Sequence, residues 1–157
     1  MTSQNDTPQF RGITPLALDG KGRLAIPARH RDKLQALCQG QLVVTIDRDR
    51  CLLIYPLPEW EEVERKLVRL SSTDPRARSL KRLLLGHAEE CEMDGQNRIL
   101  LSAPLREFAR LDRRVVLVGQ GNKLELWDEQ TWYRLRDQWL DESDDGDLSA
   151  DLESLSF

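Results

Sequence analysis

Histidine and cysteine are scarce in this sequence of 157 residues, which has two histidines and three cysteines. Neither His30 nor His87 belongs to a catalytic or metal-binding motif, and the chain has no CxxC, HExxH, P-loop or GxSxG sequence. We therefore expect no enzymatic activity, no cofactor, no metal and no small-molecule substrate, and interpret both histidines as surface or packing residues. Three cysteines are too few for a disulfide framework, so Cys38, Cys51 and Cys91 are interpreted as small buried hydrophobic residues in a reducing compartment.

Long hydrophobic runs are absent as well. No segment approaches the roughly 20 apolar residues that span a bilayer, and residues 1–9 are polar without the apolar region of a signal sequence. We expect a cytoplasmic protein with no membrane partner. A hydrophobic content of 39% and a charged content of 32% are typical of a soluble globular protein.

The chain as a whole has no excess of basic residues, since its formal net charge is −4. The charge is unevenly distributed, however. Residues 141–157 carry seven acids and no base, so residues 1–140 have 23 Lys and Arg against 20 Asp and Glu, a formal charge of +3. An acidic, Ser-rich segment buries too little apolar surface to offset its ordering entropy, so residues 141–157 are predicted to be a disordered tail. Two roles fit this tail: it keeps the protein soluble, or it competes with an anionic ligand for a basic surface of the protein.

The sequence repeats once, at an offset of 72 to 75 residues. The segment DGKGRLAI, which begins at Asp19, corresponds to DGQNRILL, which begins at Asp94, and the apolar run at Val43 corresponds to the run at Val115. Two copies of one supersecondary unit are therefore predicted. Because pieces of about 70 residues are marginal on their own, we expect the copies to share one core.

Each copy is predicted to contain two β-hairpins. The Asp-Gly turn is predicted to join an extended segment to a second strand, which covers residues 23–26 in the first copy and 98–101 in the second. The other hairpin is predicted over residues 42–46 and 51–55, and in the second copy over 115–118 and 123–127.

Helices complete each copy. Pro27 is predicted to open a short helix, and in the second copy Ser102 is expected to cap the equivalent helix. A longer helix closes each copy, and its tryptophans are expected in the core. These tryptophans are Trp60, Trp132 and Trp139.

The predicted fold class is α+β, with two β-rich repeats that share one core and are joined by a connecting helix. Asp74 is expected to cap that helix and Pro75 to start it. The predicted organisation is a flexible extension (1–9), a first repeat (10–72), the connecting helix (73–86), a second repeat (87–140) and the acidic tail (141–157).

The first Asp-Gly turn has the residues best suited to a contact with phosphate groups. Gly20 and Gly22 allow the backbone to turn and to approach another surface closely. Lys21 and Arg23 place two cations at the tip, opposed only by Asp19. The same residues also fit a plain Asp-Gly turn with ordinary surface charges.

Two half-motifs, in the same order and at a similar separation, resemble the MraZ family of bacterial transcriptional regulators. The first half-motif is FRG from Phe10, LDGKGRLAIP from Leu18 and then Arg31; the second is DG from Asp94, RIL from Arg98, LR from Leu105, VVLVG from Val115 and LELW from Leu124. The likeness covers nearly all of residues 10–140.

The resemblance implies a double-repeat member of the AbrB-like, swapped-hairpin class, in which two β-rich units interlock into one double-ψ-barrel-like core. It also implies a sequence-specific DNA-binding transcriptional regulator, expected to be a repressor, that assembles into a ring-shaped homo-oligomer. Such proteins bind direct repeats of double-stranded promoter DNA upstream of the division and cell-wall gene cluster that contains their own gene. A cytoplasmic, nucleoid-associated location follows.

The resemblance also suggests which residues contact DNA. The bases of the first DxKGR motif are the family's DNA-contacting element, and residues near it in sequence are expected to be auxiliary phosphate contacts. Arg98 of the second motif is either a further contact or only a brace of its hairpin, because Asn97 stands where that motif usually has glycine. The expected DNA-binding residues are Lys21, Arg23, Arg11, Arg29, Arg31 and Arg98.

A protein-interaction module is the alternative function. Such a module, for example an antitoxin-like partner, would use the same fold to mask another protein. It would co-purify with that protein and would not bind the DNA upstream of its own gene.

Overall fold

Eight strands and five helices form the described part of the chain. The computed structural model describes residues 9–142 together with Ser154 and Leu155. The first copy contains β1 (Ile13–Ala17), β2 (Arg23–Ala25), α1 (Ala28–Cys38), β3 (Gln41–Ile46), β4 (Leu52–Pro56) and α2 (Leu57–Val68). Then follow α3 (Pro75–His87), β5 (Glu89–Glu92), β6 (Arg98–Leu100), α4 (Ala103–Phe108), β7 (Arg114–Gly119), β8 (Leu124–Asp128) and α5 (Glu129–Glu142).

The two copies are interlocked by strand exchange. Six strands form one sheet in the order β1-β7-β8-β4-β3-β5, while β2 and β6 pair separately as a two-stranded ribbon. All of these pairings are antiparallel. Replacing each strand by its counterpart in the other copy only reverses this order, so the fold has internal pseudo-two-fold symmetry. The predicted α+β class with two β-rich repeats is confirmed, and both copies contribute residues to the core on each face of the sheet.

The predicted hairpin across each Asp-Gly turn is wrong. The first turn does form, because the Asp19 amide donates to the Arg23 carbonyl over 3.1 Å. Its two strands then separate: β1 pairs with β7 and β2 pairs with β6. Strand β7 is buried along Val115–Val118 and needs hydrogen-bonding neighbours on both edges, and β1 provides the second one. The other predicted hairpin, β3 with β4 and β7 with β8, is confirmed.

The central strands are buried on both faces of the large sheet. Side chains alternate along β3, so that Val44 lies in the core beneath the ribbon and Val43 lies in the core beneath the long helices. The first core also contains Leu24 and Ile99 of the ribbon. The second contains Trp60 of α2 and packs against α3 and α5. The ribbon and the long helices therefore cover opposite faces of the sheet.

The helix starts follow the sequence prediction. The Ser102 hydroxyl accepts from the Leu105 amide over 3.5 Å at the start of α4. Asp74 caps α3, because its carboxylate accepts from the Arg76 amide over 2.9 Å. Pro27 stands directly before α1 with an extended ψ of 149°.

Several burial predictions are wrong. Trp139 is 40% exposed, because it lies on the outer part of α5, although its ring still contacts Trp127. Cys51 is buried, but Cys38 and Cys91 are only half-buried at the core edge. Asp141 and Glu142, the first two residues of the predicted acidic tail, are the last residues of α5. The remainder of the predicted tail, apart from Ser154 and Leu155, and residues 1–8 of the predicted extension lie outside the described residues.

Candidate nucleic-acid interface

The carboxylate of Asp19 organises the first turn. One of its oxygens accepts from the amides of Lys21 and Arg23, each over 2.9 Å, and the other accepts from Arg23 Nε over 2.6 Å. These hydrogen bonds, above all the one from the Arg23 amide, lower the pKa of Asp19 to about 2. Gly22 completes the turn with a φ of 81°. Arg23 is thus held in place, while Lys21 is exposed at the tip.

The second turn has the same hydrogen bonds. Asp94 accepts from the amides of Gln96 and Arg98, each over 2.9 Å, and from Arg98 Nε over 3.0 Å. Asn97 takes the place of Gly22 and adopts the left-handed conformation, with a φ of 60°, which asparagine tolerates better than most residues. Arg98 therefore braces its turn as Arg23 does. The exposed cation has no counterpart, because Gln96 occupies the position of Lys21.

The ribbon joins the two turns. Leu24 and Ile99 face each other across it and are fully buried. Because side chains alternate along a strand, the outer face is formed by the remaining four residues. These are Arg23 and Ala25 on β2, and Arg98 and Leu100 on β6.

Two further arginines beside the first turn were not found by sequence reasoning. A Cβ on Gly22 would lie 2.6 Å from Arg106 Nε, so the guanidinium of Arg106 packs directly on the turn. The carbonyl of Arg113 accepts from the Leu18 amide over 2.8 Å, and Arg113 is exposed. Both line an open cleft of about 440 Å³ beside the turn. The sequence repeat could have indicated Arg106, because Arg106 stands 75 residues after Arg31 and is its counterpart in the second copy.

Arg31 lies at the second turn rather than the first. Its Nε donates to the Ile26 carbonyl over 2.6 Å, and the Ile26 amide donates to the Asn97 carbonyl over 2.9 Å. Arg106 makes the equivalent hydrogen bond to the Leu101 carbonyl over 3.1 Å. Because the strands are exchanged, each of these arginines supports the turn of the other copy.

Arg29 packs against the N-terminal segment that contains Arg11. Gly12 has a φ of 101°, and any side chain there would collide with the guanidinium of Arg29. Helix α1 also binds this segment through Lys33, whose Nζ donates to the Gln9 carbonyl over 2.7 Å. Both Arg11 and Arg29 are exposed. They add positive charge to the surface around the N-terminal segment.

His30 is a packing residue, as predicted. It is 2% exposed, and its ring meets the ring of Phe10 edge to face at 5.6 Å between centroids. Burial, with added repulsion from Arg29 and Lys33, lowers the pKa of His30 to about 4. The imidazole is therefore neutral near pH 7.

The described residues contain neither a metal-binding cluster nor a membrane-spanning helix. No group of three His, Cys, Asp or Glu side chains between residues 9 and 142 could hold a metal ion. No helix in the same range is long and apolar enough to cross a membrane.

The fold and the turns define a two-repeat α+β protein whose repeats exchange strands and present an arginine-braced ribbon at the surface. Residues 9–83 and 84–152 each match the family described as "MraZ protein, putative antitoxin-like". The chain is 60% identical over 149 residues to the transcriptional regulator MraZ of Thioalkalivibrio sulfidiphilus, with 94% of this chain and 99% of that protein covered. It is 58% identical over 151 residues to the transcriptional regulator MraZ of Halorhodospira halophila, at the same coverage. The chain belongs to the MraZ family.

Proposed function

We propose that this protein is a sequence-specific DNA-binding transcriptional regulator that represses the division and cell-wall gene cluster, including its own promoter. The relatives named above are called transcriptional regulators. The observation that carries the DNA-binding role is the first turn, where exposed Lys21 stands beside Arg23, Arg106 and Arg113. Phosphate groups are the ligands that such a cluster of cations favours.

In this proposal the residues have different roles. The backbone amide of Lys21 binds Asp19, and its exposed side chain provides a point charge for a phosphate. Arg23 is held by Asp19 in a fixed orientation, which suits a contact with the edge of a guanine base. The exposed Arg11 and Arg29 extend the basic surface, while Arg31 and Arg98 lie at the second turn.

A ring-shaped homo-oligomer on direct repeats of promoter DNA completes the proposal. The body of the chain has a formal charge of only +3, so one protomer has few cations to spare for phosphates. Linking protomers raises the effective concentration of each further contact and multiplies apparent affinity by about 100-fold or more. The protein would then act in the cytoplasm on the nucleoid.

The test is a fluorescence-anisotropy titration of Lys21→Ala on the DNA directly upstream of the encoding gene. If Lys21 neutralises a phosphate, the slope of log affinity against log salt should fall by about 1 for each protomer in contact. Lys66→Ala is the matched control, because Lys66 is exposed on α2, on the opposite side of the sheet. An unchanged slope for Lys21→Ala would contradict the assignment. Absence of binding together with co-purification of another protein would favour the interaction-module alternative.

A further inference from the structure

The outer face of the ribbon combines charge with an exposed apolar residue. Leu100 is 60% exposed at the end of β6 and lies directly opposite Arg23, while Ala25 lies opposite Arg98. Arg23 and Arg98 are therefore diagonal neighbours on the two strands, and such neighbours are roughly 7–8 Å apart. This distance equals about two base-pair steps of DNA, at about 3.4 Å per step. The side chain of Leu100 does not contribute to the core, because Leu24 and Ile99 form the buried inner face of the ribbon.

We infer that this ribbon face enters the DNA major groove and that Leu100 is a specificity-determining residue that contacts the C5-methyl group of a thymine. The inference rests on the proposed DNA-binding function. The major groove is about 12 Å wide and admits a two-stranded antiparallel ribbon. Within the groove, the thymine methyl is the apolar feature of the base edges, and an exposed aliphatic side chain complements it.

The charges on this face favour DNA over another protein as the occupant. Arg23 and Arg98 flank Leu100, and Lys21 is exposed at one end of the ribbon. The nearby carboxylates, Asp19 and Asp94, are bound within their turns by two backbone amides each and by the arginine Nε. The ribbon therefore presents cations beside an exposed apolar residue.

The test uses deoxyuridine, which keeps the hydrogen bonds of thymine but lacks its methyl group. Synthetic duplexes of the footprinted upstream DNA are made with single thymines replaced by deoxyuridine and titrated with the wild type and with Leu100→Ala. In the wild type, at least one replacement should weaken binding by about fourfold, the value of one buried methyl group. In Leu100→Ala the same replacement should have no effect, because the contact is already lost. Val68→Ala, which alters a residue 61% exposed on α2, is the matched control and should keep the wild-type response.

Three results would overturn the inference. They are wild-type binding that is insensitive to every deoxyuridine replacement, a Leu100→Ala protein that remains equally sensitive, and a change in the native mass of Leu100→Ala, which would make Leu100 a contact between copies. In each case specific binding and the Lys21 salt effect would persist. Failure of the proposed function is distinguishable, because the unmodified duplex would then not bind the wild type at all.

Discussion

The two Asp-Gly turns have the same framework but different surfaces. In both, one carboxylate binds two backbone amides and the Nε of an arginine four residues later. Only the first turn adds an exposed lysine, since the second has Gln96 at that position. What the turns share therefore serves the fold, and what differs between them is available for recognition.

The largest effect is expected where the two copies meet inside the ribbon. Leu24→Ala and Ile99→Ala each remove a fully buried side chain from the same core, so each should lower the free energy of unfolding by about 3 kcal/mol. Urea denaturation should show one transition for both variants, because neither copy holds its ribbon strand alone. Two separate transitions, or a loss in only one variant, would show that the copies are energetically independent.

The two copies also differ at His30, whose counterpart in the second copy is the buried Leu105. The pKa of His30 is about 4 in the folded protein and 6.5 when unperturbed, so between these values the unfolded chain binds a proton that the folded chain does not. The free energy of unfolding therefore has its full value above pH 6.5, where His30 is neutral in both states. It declines by up to about 3 kcal/mol as the pH falls to about 4.

His30→Leu should remove this pH dependence. The difference in unfolding free energy between variant and wild type, measured in urea from pH 7 to pH 4, isolates His30, because Glu125, whose pKa burial raises, contributes equally to both proteins. Asp19, whose pKa the turn lowers to about 2, likewise contributes equally to both. A variant with the same pH profile as the wild type would contradict a depressed His30 pKa.

The residues with positive φ should respond differently in the two turns. Gly22→Ala should lower the free energy of unfolding by about 1–2 kcal/mol, because it combines left-handed backbone with a contact on Arg106. Asn97→Gly should change it by less than about 0.5 kcal/mol, since Asn97 already tolerates that conformation. Thermal denaturation of both variants tests this; equal losses would mean that the packing of Arg106 does not distinguish the turns.

The smallest expected effect is a gain. Gln96→Lys gives the second turn the exposed cation of the first, so DNA affinity should rise slightly and the salt slope should steepen by about 1 per protomer in contact. Glu61→Gln changes the net charge equally on α2, across the sheet, and is the control. If both variants behave alike in anisotropy titrations at two salt concentrations, the second turn does not face the DNA.

Local features of the fold were predictable from the sequence, and its pairings were not. The caps at Asp74 and Ser102 follow from side chains that bond to their own neighbouring backbone. The exchange of β1 and β2 depends on contacts between residues about 75 to 100 positions apart, which no local pattern encodes. It was implied only by the family resemblance.

The candidate site was predictable to a similar extent. Lys21 and Arg23 stand in one contiguous motif and were identified from it. Arg106 was missed because exchanged strands bring each arginine to the other copy's turn, and the same exchange places Arg31 at the second turn. Exposure of Trp139 was missed because helical spacing does not show where a helix extends beyond the sheet it covers.

Because the two interlocked copies belong to one chain, the two ends of the ribbon can differ. Two identical chains around a true two-fold axis would have identical ribbon ends and would suit palindromic DNA. Here one chain supplies both ends, so Lys21 and Gln96 occupy equivalent places without being forced to match. The ribbon therefore has a head and a tail, and a surface with a head and a tail can distinguish the two directions of a DNA sequence.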